Sequence, residues 1–192
     1  MATVIAALLT NSGSSTPTAD RPSAESSRTG TASTIAPRGP KPDCPGPSAA
    51  LPPGNAVDIT NLKNDDPVDY GVTDVKGTAT LIPGNHLWFF VWAPTAERMY
   101  IMGGRGPAVE NGLWTFNKVG LGDGSGDDTG KYFCMTAMIV NAEGNKFLEM
   151  IVATREDTAY AMTKDEIPKE GLAKTILVFL RNARTPAADV TS

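Results

Sequence analysis

Histidine, cysteine and long apolar runs are all scarce in this 192-residue chain, and each shortage closes off a class of function. With a single histidine, His86, no mechanism needing two imidazoles is available. There is no C-x-x-C pair and no cysteine near His86 in sequence, so a structural zinc site is excluded. No stretch approaches the roughly 20 apolar residues of a membrane helix, so the chain as given does not read as an integral membrane protein. Positive charge is also thin. The formal net charge is −4, and the only loose basic group, Arg98 with Arg105, offers no concentrated face for phosphates, which argues against nucleic acid. Nucleophile signatures are missing as well: no G-x-S-x-G elbow and no Cys-His motif. Gly103-Gly104-Arg105-Gly106 lacks the Gly-Lys-Ser/Thr ending of a phosphate loop. The expectation is therefore no catalytic set and no cofactor. A small hydrolase with His86 as base is the minority reading, left open because serines and aspartates are plentiful.

What the chain does contain is unevenly distributed. Residues 1–10 hold a short apolar segment, Ala2 to Thr10, with no basic residue ahead of it. It reads as the end of a signal or anchor segment, or as a frayed terminus. Residues 11–55 carry nine of the fifteen prolines among Ser, Thr, Ala and Gly, with Ile35 and Leu51 the only large aliphatics. Such a segment cannot bury enough apolar surface to offset its ordering entropy, so a disordered linker or stalk is expected. Apolar start, flexible stalk, compact domain: that order fits an exported or membrane-tethered module, with a cytoplasmic protein bearing a tail as the alternative. Residues 183–192 read as a polar tail. Cys44 and Cys134 are either bridged, as export would allow, or two unrelated thiols.

Residues 56–182 read as the folded domain. Its centre is Leu87-Trp88-Phe89-Phe90-Val91-Trp92-Ala93, seven uncharged residues bracketed by Pro83-Gly84-Asn85 and Pro94-Thr95-Ala96-Glu97. A run so short, aromatic and tightly bounded predicts a central strand with both faces covered or nearly so. Alternation predicts further strands over Val57–Leu62 and Val72–Ile82, where Gly77 signals a bulge or a close backbone approach. Asn64-Asp65-Asp66-Pro67 reads as a break. Arg98–Met102 should return as a hairpin partner, followed by strands at Leu113–Val119, Tyr132–Val140 and Thr175–Arg181. Ala142-Glu143-Gly144-Asn145 reads as a turn, and 146–164 as a short helix or irregular crossover. Six or seven short strands with one candidate helix make an all-β, antiparallel two-sheet sandwich the natural solution.

Gly84-Asn85-His86-Leu87-Trp88-Phe89-Phe90-Val91, Met99-Tyr100, Gly112-Leu113-Trp114 and Gly130-Lys131-Tyr132-Phe133 together resemble a known pattern. It is that of a small Ig-like β-sandwich module in bacterial, especially actinobacterial and cyanobacterial, surface and multidomain proteins. The resemblance spans roughly 56–181 and departs at Trp92, where those modules often place a polar residue. It implies a sandwich with an accessory role and no catalytic residues.

Two constellations remain as candidate sites. Asp123, Ser125 and Asp127 place oxygen ligands at alternate positions, as calcium loops begin, but the twelfth position is Cys134 instead of Glu and no glycine stands at the sixth. A soluble inter-strand turn is the plainer reading. In the aromatic strand, alternation sends Leu87, Phe89, Val91 and Ala93 to one face and Trp88, Phe90 and Trp92 to the other. The first set suits the sandwich core. The second lies either beneath 146–164 or open. If open, Trp92 and Trp88, helped by Tyr100 and Arg98, would form a platform for a sugar or a protein. The function expected is a non-catalytic binding module for a protein or an envelope glycan, with a carbohydrate-binding module or a structural assembly subunit as alternatives.

Overall fold

The computed structural model describes residues 37–122, 127–156 and 159–182. Two sheets face each other. In chain order the strands are β1 (Ala56–Ile59), β2 (Asp66–Asp69), β3 (Gly71–Thr80), β4 (His86–Ala93), β5 (Arg98–Ile101), β6 (Val109–Glu110), β7 (Leu113–Gly120), β8 (Tyr132–Val140), β9 (Ala161–Met162) and β10 (Gly171–Asn182), with one helix, α1 (Ala142–Thr154), between β8 and β9. The smaller sheet runs β1-β3-β7-β6 and the larger β2-β10-β8-β4-β5-β9. The all-β sandwich expected from the strand count is the fold observed.

The aromatic run lies inside the larger sheet as β4, antiparallel to β8 on one side and to β5 on the other. Its alternation separates two hydrophobic layers, as the sequence predicts. Leu87, Phe89, Val91 and Ala93 face the smaller sheet, joining Phe133, Met135, Ala137 and Ile139 of β8 and Trp114 of β7. Phe89 is the hinge of that layer, with Phe116 stacked 5.3 Å away and Trp114 at 5.9 Å between ring centroids. Trp88, Phe90 and Trp92 face outward and meet Leu148 and Ile151 of α1.

The start of α1 corrects the turn expected at 142–145. Asn141 is extended, and its side chain accepts from the Gly144 N–H at 2.9 Å, capping the helix. Asparagine serves turns and helix caps by the same local acceptor, so its presence alone does not separate the two. Asp66–Asp69 is a second correction, since the expected break holds β2. It pairs with β10 in parallel at the rim of the sheet, where a proline lacking an N–H is tolerated. Gly77 is a close approach and not a bulge. The β3–β7 register runs through it without a shift, and a Cβ there would collide with the Asp58 carbonyl and the Trp114 ring.

The folded chain also begins earlier than composition implies, which corrects the linker boundary at 55. Residues 37–49 run along the larger sheet, and beyond them Leu51 packs on the inner layer. Ser48 and Ala49 donate backbone N–H groups to Lys169 O at 3.0 and 2.9 Å, Gly171 N–H donates to Ala49 O, and Arg38 N–H donates to Gly130 O. Cys44 is bridged to Cys134 of β8, with Cα atoms 5.8 Å apart. A covalent tie and edge hydrogen bonds hold what apolar burial could not. The expectations for residues 1–36 and 183–192 fall outside the described residues.

Candidate functional site

The outward tryptophans do not form a platform. Trp88 is 3% exposed and Trp92 is 2% exposed, because α1 lies over them. The Trp88 indole donates to Asn145 Oδ1 at 2.9 Å, so the one polar group on that ring already has a partner in the helix. Lys164 Nζ stands over the Trp92 ring at 5.1 Å from its centroid. Tyr100 could not have joined them in any case. The hairpin register pairs Val91 with Tyr100 and Trp92 with Met99, which puts Tyr100 on the inner face. Arg98, at the start of β5, is exposed. The four residues proposed as one surface are thus divided among a sealed layer, an inner face and solvent.

His86 is exposed at the first position of β4, and no hydrogen bond joins it to a carboxylate or hydroxyl among the described residues. The hydrolase reading has no assembled triad to rest on there. Of the calcium candidates, Asp123 and Ser125 lie outside the described residues, and Asp127 is exposed. Among the described residues no group of three or more His, Cys, Asp or Glu side chains converges as a metal site would.

The most site-like feature is a cleft of 710 Å³ where the two sheets part. The larger sheet supplies Val91, Tyr100 and Phe133, Met102 follows β5 directly, and Gly120 marks the end of β7. Tyr160, from the turn after α1, closes one side. The rim is charged: Lys131 Nζ contacts Asp128 Oδ1 at 3.1 Å, with the Asp128 side chain nearly enclosed. Gly103, at φ 71°, makes the bend beside this cleft, and a Cβ there would press on the Phe116 ring at 2.7 Å. A volume in the hundreds of Å³, apolar walls and a few polar groups at the rim are the usual make-up of a ligand pocket.

Sequence reasoning singled out Tyr100 but missed its neighbours. They come from separate segments, and nothing in the spacing of Met102, Lys131, Phe133 and Tyr160 shows that they converge. The available signal was glycine: Gly103, Gly120 and Gly122 all line the cleft.

The Arg155–Glu166 pair braces the outer layer near the cleft. Arg155 Nη1 and Nη2 reach the Glu166 carboxylate at 3.1 and 2.5 Å, and Nη1 also donates to Ala161 O at 3.0 Å. Those guanidinium bonds, followed by the Thr163 N–H bond, hold the Glu166 pKa down at about 2. This joins the end of α1 to β9. Among the described residues no helix is long and apolar enough to cross a membrane. No protein-family model matches the chain, and no curated protein matches it.

Proposed function

We propose that the chain is a non-catalytic binding module whose ligand enters the cleft between the sheets. The observation that carries this is the 710 Å³ opening walled by Val91, Met102 and Phe133, with the phenols of Tyr100 and Tyr160 and the Lys131–Asp128 pair around it. Apolar walls supply affinity by burying ligand surface, and the few polar groups set orientation. The ligand class that fits is a compact apolar group with a polar end, presented by a small molecule or by a partner's side chain.

An exported or envelope-tethered setting is part of the same proposal. It is supported by the Cys44–Cys134 bridge, since disulfides persist mainly in oxidising compartments, and by the Pro/Ser/Thr-rich stretch ahead of the domain. The resemblance to bacterial surface modules points the same way. Methyl NMR tests the binding site with a panel of small alkyl and aryl fragments bearing hydroxyl, amine or carboxylate ends. The expected result is shifts at Met102, Val91 and Ala93 that saturate. Saturating shifts confined to Met99, Met138 and Met162 of the outer layer, or no shifts at all, would count against the cleft.

A further inference from the structure

The strap of residues 37–55, whose part up to Ala49 lies on the larger sheet, does not bury itself. No residue of that strap is buried; Pro42, Cys44, Pro45, Pro47, Leu51 and Asn55 are half-buried and the others exposed. Beneath it the situation is reversed. Cys134 is 0% exposed, and Tyr132 and Phe179 are buried beside it with their rings edge to face, while Leu177 is paired opposite Cys134. Even-numbered β8 positions and odd-numbered β10 positions share this outer face, so Tyr132, Cys134, Leu177 and Phe179 form one apolar strip. Lys41, over the Tyr132 ring, and Cys44, on Cys134, mark where the strap crosses it.

The other ties of the leading part are few. Among the described residues they are Arg38 N–H to Gly130 O at 2.6 Å, the exposed Lys41–Asp65 pair at 2.6 Å, the Ser48 and Ala49 bonds to Lys169 O, and the Gly171 N–H bond to Ala49 O. Exposed ion pairs contribute little. Leu51, further along, packs on the inner layer and would anchor the strap whatever happens ahead of it. Ahead of the Ser48–Ala49 bonds, the bridge is therefore the one covalent link between the strap and the sheet, beside the single Arg38 backbone bond and the exposed ion pair, and the inner layer makes no use of it.

We propose that Cys44–Cys134 is a redox-sensitive latch: reduction frees residues 37–48 from the outer face and uncovers the apolar strip, while the two-sheet body stays folded. The reductant is a dithiol. Its thiolate attacks the sulfur of Cys44, the more accessible of the two, and the S–S bond breaks with Cys134 as the leaving thiolate, which takes up a proton in its apolar surroundings. The second thiol of the reductant then displaces Cys44 as a thiol. The reductant leaves as its own disulfide, so two electrons and two protons pass to the protein. This device stands apart from the cleft and does not depend on what the cleft binds.

The experiment uses the full chain, oxidised or treated with dithiothreitol, then pulsed with iodoacetamide and followed by hydrogen exchange and mass spectrometry. The expected result is alkylation of both cysteines, at least a tenfold rise in exchange at 38–48, and unchanged protection in β4 and β8. Cys44→Ser should show the same exchange pattern without reductant. The proposal is overturned if exchange at 38–48 is unchanged once the bridge is broken, or if Cys134 stays unlabelled. It is equally overturned if β4 and β8 lose protection together with the strap.

Discussion

The two faces of β4 solve the same problem in different ways. The inner face, Leu87, Phe89, Val91 and Ala93, is covered by another sheet through contacts between residues far apart in sequence. The outer face, Trp88, Phe90 and Trp92, is covered by a 13-residue helix that follows β8 directly, with the bridged strap beside it. Each face also settles its indole N–H differently. Trp114 in the inner layer donates to a backbone carbonyl, Thr78 O at 3.1 Å, while Trp88 in the outer layer donates to a side chain, Asn145. The lesson is that the richest aromatic surface here is structural. The outer layer is an added cover on a sandwich that already has a core, and the inner layer opens at the cleft, beyond the end of β7.

The largest break in that comparison should come from Gly77→Val. The added side chain meets the Asp58 carbonyl and the Trp114 ring, so the smaller sheet must separate from the inner layer. A loss of about 4 kcal/mol or more in urea unfolding is expected; a cost under about 1 kcal/mol would show that the approach is not close. Next come the paired truncations. Phe89→Ala should cost about 3–5 kcal/mol and lower protection everywhere, since it opens the inner layer. Leu148→Ala should cost about 2–5 kcal/mol, with its largest exchange increase confined to α1. Equal spread of both effects through the chain would mean that the layers are one cooperative unit.

Trp88→Phe sharpens the comparison at smaller scale. It leaves Asn145 Oδ1 without the indole donor in a buried site, at a cost of about 1–3 kcal/mol beyond the change in ring size. A double-mutant cycle with Asn145→Ala should show coupling, and strict additivity would remove the bond from the account. The smallest effect is the pH dependence carried by Glu166. Its pKa is about 2 in the folded chain against an ordinary 4.5, so the folded state holds that proton less tightly than the unfolded one. The pair's contribution is therefore full above about pH 4.5 and fades as pH falls toward 2. At roughly one-third exposure of both side chains it should amount to about 1 kcal/mol, and Glu166→Gln should flatten that limb of the stability curve.

Much of the fold was legible because period-2 patterns are local. The position of β4, the division of its faces, the β4–β5 hairpin and the strands expected at 113–119 and 132–140 all follow from local patterns between breakers, each end within a residue of the observed one. What was not legible depended on contacts at a distance. Pro67 hid β2, because its rim position is a property of the assembled sheet. Ala142-Glu143-Gly144-Asn145 has turn composition, and only the helix that Asn141 caps shows it to be the first turn of α1. The strap has linker composition, and what ties it down, the Cys44–Cys134 bridge and the bonds to Gly130, Lys169 and Gly171, lies far away in sequence. The site was harder still. Tyr100 seemed to belong with Trp92 until the hairpin register set it opposite Val91, and the cleft is built from residues with no common motif.

Acrylamide quenching of a Trp114→Phe variant, in which only Trp88 and Trp92 fluoresce, tests the closed outer face most directly. The account predicts quenching far below that of free indole, restored to near that level only on unfolding in urea. Strong quenching in the native protein would contradict it, because it would mean that the tryptophan face stands open to solvent and is available as a binding surface after all.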